Sequence, residues 1–328
     1  MGINPKIYPG ITLLSQNKLS TMTSSFSYFY SNGAHFIKPK ITIERFYPVF
    51  EIGALFGSDP VFLFKDNTIP HQNYLSAYYD FTVRCYLPLN LTRNRFVRYF
   101  LPDISYGYTN DYYLTLPDSV YKKGYDYLGT SFYFSNILKK SPKDIYPRFG
   151  QIVYISIHKP LLDKKYFSPS QLGLVNLYFP GFSGHHSIRI YLAEEKKKIK
   201  TSENNEINMF VRRNSLAMPR GYLNSVPYSK LITGSAEYTF PLFYPDWNIG
   251  PLVYIKRFHA SIFYDAAKVY ELSSDQIKKL VSTGFTIASE MHFLRFFIPF
   301  TPKITVAYLP KENDITILFG ISIETSVF

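Results

Sequence analysis

Residues 75–89 of the chain read LSAYYDFTVRCYLPL. The odd positions, from Leu75 to Leu89, are apolar or aromatic, whereas the even positions are mostly polar and include Asp80 and Arg84. Alternation with a period of two places successive side chains on opposite faces of a β-strand. The run is also longer than the roughly five or six residues usual for strands of globular proteins. It therefore predicts a long strand with one apolar face and one polar face.

The same pattern recurs along the chain and agrees with its composition. Isoleucines alternate with polar residues at 37–44 and again at 187–192. Charged residues make up 18% of the chain, below the roughly 25% usual in soluble domains, and aromatic residues another 18%. The mean hydropathy is −0.09, and no run reaches the about 18 to 20 apolar residues of a membrane helix. Strands with one lipid-facing and one water-facing side explain this composition; a large soluble β-sandwich or β-propeller is the alternative.

Fifteen strand-like runs can be counted. They are 10–15, 20–30, 36–46, 49–57, 74–90, 97–114, 127–138, 149–159, 169–179, 185–195, 232–242, 252–268, 282–296, 302–310 and 315–327. Every second connection is long, as at 58–72 and 196–231, whereas most of the others are short, with 139–146 as an exception. Long loops on one side and short turns on the other are typical of outer-membrane barrels.

Two short motifs flank the eleventh of these runs. Met218–Tyr222 reads Met-Pro-Arg-Gly-Tyr within the longest loop, and Phe263–Ala267 reads Phe-Tyr-Asp-Ala-Ala on a later run. In order and spacing they resemble the outer-membrane superfamily that includes the barrel-assembly insertase and the two-partner-secretion transporters. The resemblance implies an all-β fold, an antiparallel transmembrane β-barrel of the 16-strand type in the bacterial outer membrane. Five runs follow the loop here, as in the family, so one upstream strand is missing.

The resemblance also assigns roles to individual residues. Arg220, with Gly221 and Tyr222, is expected to anchor the loop inside the barrel by pairing with Asp265, which alternation places on the inner face together with Phe263 of the barrel motif. Ala267 stands where the family motif has Gly, and Pro219 where it usually has Val; both departures concern the geometry of the loop tip. Glu290 is also expected to face inward, as a second partner. Phe328 is expected to serve as the C-terminal assembly signal.

The start of the chain lacks the basic and apolar regions of a secretory signal. We therefore expect residues 1–328 to be a single barrel domain, the C-terminal part of a longer precursor. The net charge of +12 is dispersed, and the densest basic stretch, 196–200, follows two glutamates. This favours a solvated loop near anionic lipid headgroups over a nucleic-acid site.

The resemblance implies insertion or translocation of polypeptide, with lipid as a further possible cargo. Membrane lipid, the polypeptide substrate and periplasmic or lipoprotein accessory subunits are the expected partners, and no cofactor is expected. No catalysis is expected either, because His185–Ser187 begin a strand after a turn without an identifiable third member, and Glu290 and His292 lack a metal-ligand spacing. A passive diffusion porin and a surface adhesin are the alternatives.

Overall fold

A computed structural model describes residues 10–31, 33–60, 77–113, 124–162, 164–199, 209–222, 227–250, 252–272, 277–293 and 299–323. Within these residues the chain forms nineteen strands. They are β1 (Gly10–Gln16), β2 (Met22–Ser31), β3 (Ala34–Ile43), β4 (Val49–Pro60), β5 (Ala77–Tyr86), β6 (Leu89–Asn90), β7 (Phe96–Thr109), β8 (Tyr112–Tyr113), β9 (Tyr125–Leu138), β10 (Gly150–Pro160), β11 (Ser170–Pro180), β12 (Ser187–Lys197), β13 (Val211–Arg212), β14 (Tyr228–Phe243), β15 (Trp247–Ile249), β16 (Val253–Glu271), β17 (Ile277–Phe293), β18 (Phe300–Leu309) and β19 (Asp314–Ile323).

Each of the fifteen predicted runs contains a strand within the described residues, while its parts at 74–76, 114, 294–296 and 324–327 lie outside them. The all-β antiparallel fold is confirmed. Each long strand pairs with its neighbours in the chain in antiparallel register, so the sheet runs from β1 to β19 as a meander. Four short strands differ from the prediction: β6 and β8 are separate strands at the ends of the predicted runs 74–90 and 97–114, and β13 and β15 lie outside every predicted run. Two of them, β6 and β15, extend hairpins of the main sheet, and the other two, β8 and β13, form a separate two-stranded sheet.

The side chains of the long strands divide into two faces, as the alternation predicts. On β16, Phe263 and Asp265 are 2% and 4% exposed, whereas Ile262 and Tyr264, which alternate with them, are more than half exposed. The exposed face is apolar and aromatic along the later strands. The other face carries charged and hydroxyl side chains that bond to one another. In the part of the chain that the structure describes, no helix has the length and apolarity needed to cross a membrane.

The two ends of the meander differ from its interior. Every residue of β1 is exposed, including Leu13 and Leu14, which point to opposite faces. Registers join β1 to β2 and β19 to β18, and among the described residues none joins β1 to β19. Among the described residues, β1 and β19 therefore have a register on one edge each, whereas β14 and β16 are paired on both edges.

This difference predicts the pattern of amide hydrogen exchange. Amides on the outer edges of β1 and β19 should exchange much faster than amides in the middle of β16, because a paired amide exchanges only when the local structure opens. Peptide-level exchange measured by mass spectrometry on the purified chain in detergent would test this. Equal protection of residues 10–16 and 257–267 from exchange would contradict this difference between the ends of the sheet and its interior.

Candidate functional site: the anchored long loop

The long loop between β12 and β14 contains a packed cap. Its residues Met209, Phe210 and Val211 are at most 1% exposed. The ring of Phe210 stacks on Phe167, from the connection before β11, with centroids 4.8 Å apart. Strand β13 at the same place pairs with β8. The sequence predicts a loop for this stretch, because two-residue strands leave no periodic signal.

Below the cap, a buried carboxylate holds the descending chain. Glu195 of β12 is 1% exposed, and its Oε2 accepts hydrogen bonds from the backbone N–H groups of Ser215 and Leu216, at 2.9 and 3.2 Å. The hydroxyl of Tyr228 donates a third, at 2.5 Å. Leu216 then packs among apolar side chains of the inner wall, including Leu231. A carboxylate with several donors is one of the stronger hydrogen-bonding arrangements in a protein.

The loop tip is a tight turn. The N–H of Tyr222 donates to the carbonyl oxygen of Pro219 at 3.2 Å, and Gly221 at the third position has φ +96°. A positive φ at this position is the requirement of a type II turn, which glycine meets without steric cost. A Cβ added to Gly221 would also lie 2.8 Å from a methyl carbon of Leu309 on β18. Both the turn and the close approach therefore need glycine here.

The tip places the side chain of Arg220 against the inner wall. Its Nε and Nη2 each donate to one oxygen of Asp265 at 2.8 Å, the bidentate geometry that a guanidinium favours. Its Nη1 donates to Glu237 at 3.1 Å and its Nη2 also to Ser235 at 3.0 Å. The guanidinium carbon lies 3.6 Å from the centre of the Phe263 ring, within cation–π range.

The four wall residues form one compact cradle because of strand register. Ser235 lies opposite Asp265 and Glu237 lies opposite Phe263 on the paired strands β14 and β16. All four therefore project from the same face, two residues apart on each strand. Burial disfavours the charge of Arg220, but its hydrogen bonds to Asp265 and the charge of Glu237 outweigh this, and its pKa is raised above the usual value. The loop anchor is thus a permanent cation.

Charges of both signs alternate around the cradle. Glu237 also accepts a hydrogen bond from Arg189 of β12 at 3.0 Å, so two guanidinium groups face two carboxylates, those of Glu237 and Asp265. Glu237 and Asp265 are only 6% and 4% exposed. A buried charge left without its partner is costly, so the loop tip and the wall depend on each other.

Two further contacts extend the tip towards the last strands. The hydroxyl of Tyr222 donates to the carbonyl oxygen of Val281 on β17 at 3.3 Å. The hydroxyl of Thr316 on β19 donates to the carbonyl oxygen of Gly221 at 3.4 Å. Residues 220–222 therefore contact β14, β16, β17, β18 and β19.

The structure corrects one predicted partner. Glu290 of β17 faces inward but does not contact Arg220; it accepts hydrogen bonds from Lys256 at 2.7 Å and from Nε of Arg257 at 2.6 Å. Arg257 lies eight residues before Asp265 on β16, or about 26 Å along the strand. A register shift between Ile255 and Arg257 leaves Lys256 as an extra residue, so two successive cations reach one carboxylate. The second partner of Arg220 is Glu237 instead.

A second anchored segment lies on the short-turn side. The connection between β9 and β10 extends to β16, and Nη1 of Arg257 lies 3.3, 3.0 and 3.0 Å from the carbonyl oxygens of Pro142, Lys143 and Asp144. The carboxylate of Asp144 also contacts His185 at 2.7 Å. Three strands, β11, β12 and β14, separate β10 from β16 in the sheet. The connection therefore crosses the inside of this end.

Not every predicted site residue can be placed, and several site residues were missed. Phe328 lies outside the described residues. The missed residues share inward positions on strands next to the tip: Arg189, Glu195, Ser235 and Glu237. Alternation puts each on a polar face, but only the register between strands shows which of them meet. The described residues contain no group of three or more histidine, cysteine, aspartate or glutamate side chains able to hold a metal ion.

The cradle predicts non-additive effects of mutation. Arg220→Ala should destabilise the chain by about 3 kcal/mol, because two wall carboxylates lose a partner. Asp265→Ala should cost less, since Arg220 keeps Glu237. The double variant should be little worse than Arg220→Ala alone, giving a coupling of about 1–3 kcal/mol. Thermal unfolding in detergent and limited proteolysis of residues 209–222 would measure both.

Glu290→Ala serves as the matched control for this cycle. It removes an inward carboxylate of the neighbouring strand β17 without touching the loop tip. Small, additive effects of Arg220→Ala and Asp265→Ala, or equal loop release by Glu290→Ala, would contradict the proposed anchor.

Arg257 should control the connection between β9 and β10. Arg257→Ala removes the donor shared by three carbonyl oxygens, so trypsin cleavage after Lys143 should accelerate at least about tenfold. Lys256→Ala removes the other cation on Glu290 but leaves those contacts intact, and cleavage should stay slow. Similar cleavage rates in the two variants would show that the connection is held by other means.

Comparisons with known proteins bear on the fold. A scan against protein-family models found no match, and a search of curated protein sequences found none either. A search of solved structures matched BamA from Haemophilus ducreyi lacking POTRA domains 1–3, with 10% identity and a TM-score of 0.56, over 95% of this chain and 67% of that one. The chain therefore has the fold of the BamA barrel.

Proposed function

We propose that the chain is a bacterial outer-membrane barrel that inserts or translocates polypeptide, and that residues 220–222 brace its lumen. The observation that carries this is the fit of Arg220 into the four-residue cradle of Ser235, Glu237, Phe263 and Asp265. The barrel fold shared with BamA supports the same class of function. The exposed apolar face of the strands would contact lipid.

The seam supplies a route for an incoming chain. β1 has described pairing on one edge, and so has β19. An unpaired edge offers a row of N–H and C=O groups that a further strand can extend. A nascent barrel strand that pairs there would leave the lumen sideways into the bilayer. Periplasmic or lipoprotein accessory subunits would deliver it, and lipid is an alternative cargo.

A passive diffusion porin is less consistent with the lumen. Porins keep a water-filled channel, whereas here a packed cap with Phe167 and Phe210 lies in the long loop, and Arg257 holds a connection across the opposite end. The surface-adhesin alternative uses only the outer loops. It gives no reason for a loop tip buried against the inner wall.

Reconstitution tests the proposal. Liposomes containing the purified chain should speed the folding of a urea-denatured outer-membrane barrel substrate, measured as protease-protected product, compared with empty liposomes. Arg220→Ala should lower the rate of substrate folding roughly tenfold. This corresponds to a loss of about 1.4 kcal/mol in the stability of the braced loop arrangement. Arg220→Lys should not restore it fully, because lysine keeps the charge but lacks the bidentate fork.

Planar bilayers distinguish the porin alternative. A porin would show a large, steady conductance that does not depend on Arg220, and would leave substrate folding at the rate of empty liposomes. Glu290→Ala is the matched variant, since it alters an inward carboxylate away from the loop tip. A loss of activity as large for Glu290→Ala as for Arg220→Ala would disprove a specific role of the brace.

A further inference from the structure

A row of lysines lies on the outward face of the sheet at the long-loop end. We call it the lysine ridge: Lys196 on β12, Lys230 on β14, Lys268 on β16 and Lys279 on β17. The registers set Lys196 directly opposite Lys230 and Lys268 directly opposite Lys279. Lys268 lies opposite Ile232, two residues from Lys230. The ridge is therefore continuous over four neighbouring strands.

Among the described residues, one carboxylate pairs with the four lysines of the ridge. Lys230 pairs with Glu194 at 2.9 Å. For Lys196, Lys268 and Lys279, no carboxylate lies in contact among the described residues; the ammonium of Lys268 only approaches the Tyr270 ring, 5.1 Å from its centre. Like charges directly opposite on neighbouring strands are destabilising. Two such pairs side by side indicate a surface arranged for an anion.

The ridge borders the exposed apolar face. Four to six residues further along the same strands, the outward side chains of Leu192, Ile262, Tyr264 and Phe285 are between 46% and 56% exposed. If this band contacts lipid, as the proposed function requires, the ammonium groups lie at the depth of the headgroups. Lysine is suited to this place, because its apolar stem covers hydrophobic surface while its charge reaches the interface.

The spacing of the ridge points to the ligand. Its two opposed pairs, Lys196 with Lys230 and Lys268 with Lys279, are two strands apart and offset by two residues along the strand, so their centres lie about 12 Å apart. A single phosphate can meet only one pair at a time. We propose that the lysine ridge binds a membrane lipid whose headgroup carries two phosphate groups. This rests on the proposed membrane location but not on polypeptide insertion.

Lipid binding by the full chain tests the ridge. The probes are lipid A with two phosphates, its monophosphoryl form and phosphatidylcholine, each added to the chain in neutral detergent. Lysines near an anionic lipid surface contribute roughly fivefold each. The triple variant Lys196→Gln, Lys268→Gln and Lys279→Gln should thus weaken binding of diphosphoryl lipid A about 100-fold. Monophosphoryl lipid A should bind the unaltered chain more weakly, and phosphatidylcholine weakest.

A charge-matched triple variant provides the control. Lys18→Gln, Lys38→Gln and Lys139→Gln remove three exposed lysines that lie away from the ridge, and lipid A affinity should be unchanged. Equal weakening in both triple variants, or equal binding of all three lipids, would overturn the proposal. Folding of the barrel substrate is a separate readout, which the ridge variant should retain. A chain that does not enter micelles or bilayers at all would instead disprove the membrane location itself.

Discussion

The guanidinium of Arg220 is a charge removed from bulk water, and the lumen around it is built to satisfy that charge. Two carboxylates, one hydroxyl and one aromatic ring surround it on adjacent strands. Their alignment depends on the β14–β16 register. Because the cation belongs to a loop and the carboxylates to the wall, neither side is stable in this form without the other. The interaction thus links the loop to the barrel.

The rest of the long loop follows from this attachment. Between the cap at Phe210 and the tip at Arg220, Glu195 collects the backbone donors of the descending chain. These contacts all lie within about ten residues of the chain, so only short segments of the loop between them are unattached. At the other end of the lumen, Arg257 plays the comparable part for the connection between β9 and β10. Both ends use an inward cation or carboxylate to position irregular backbone.

The sequence was sufficient for the strands and for the inward position of Asp265, because a period of two over ten or more residues is a strong local signal. It was insufficient for the choice between Glu237 and Glu290 as second partner of Arg220. Both carboxylates are on inward faces, and only the register decides between them. That register depends on the hairpin between β14 and β16 and on two irregularities, near Pro241 and near Lys256. Neither irregularity is marked by a pattern of residue types in the sequence.

The extra residue at Lys256 also inverts the parity of β16. From Arg257 to Asp265, odd-numbered residues face the lumen. On the other side of Lys256, Ile255 lies opposite Met291, whose neighbour Glu290 faces inward, so Ile255 faces outward. A spin label or cysteine probe placed at 255 by counting in twos from Asp265 would therefore report on the outer surface, and its neighbour at 254 on the lumen. Accessibility mapping of this strand needs two separate counts, one on each side of the bulge.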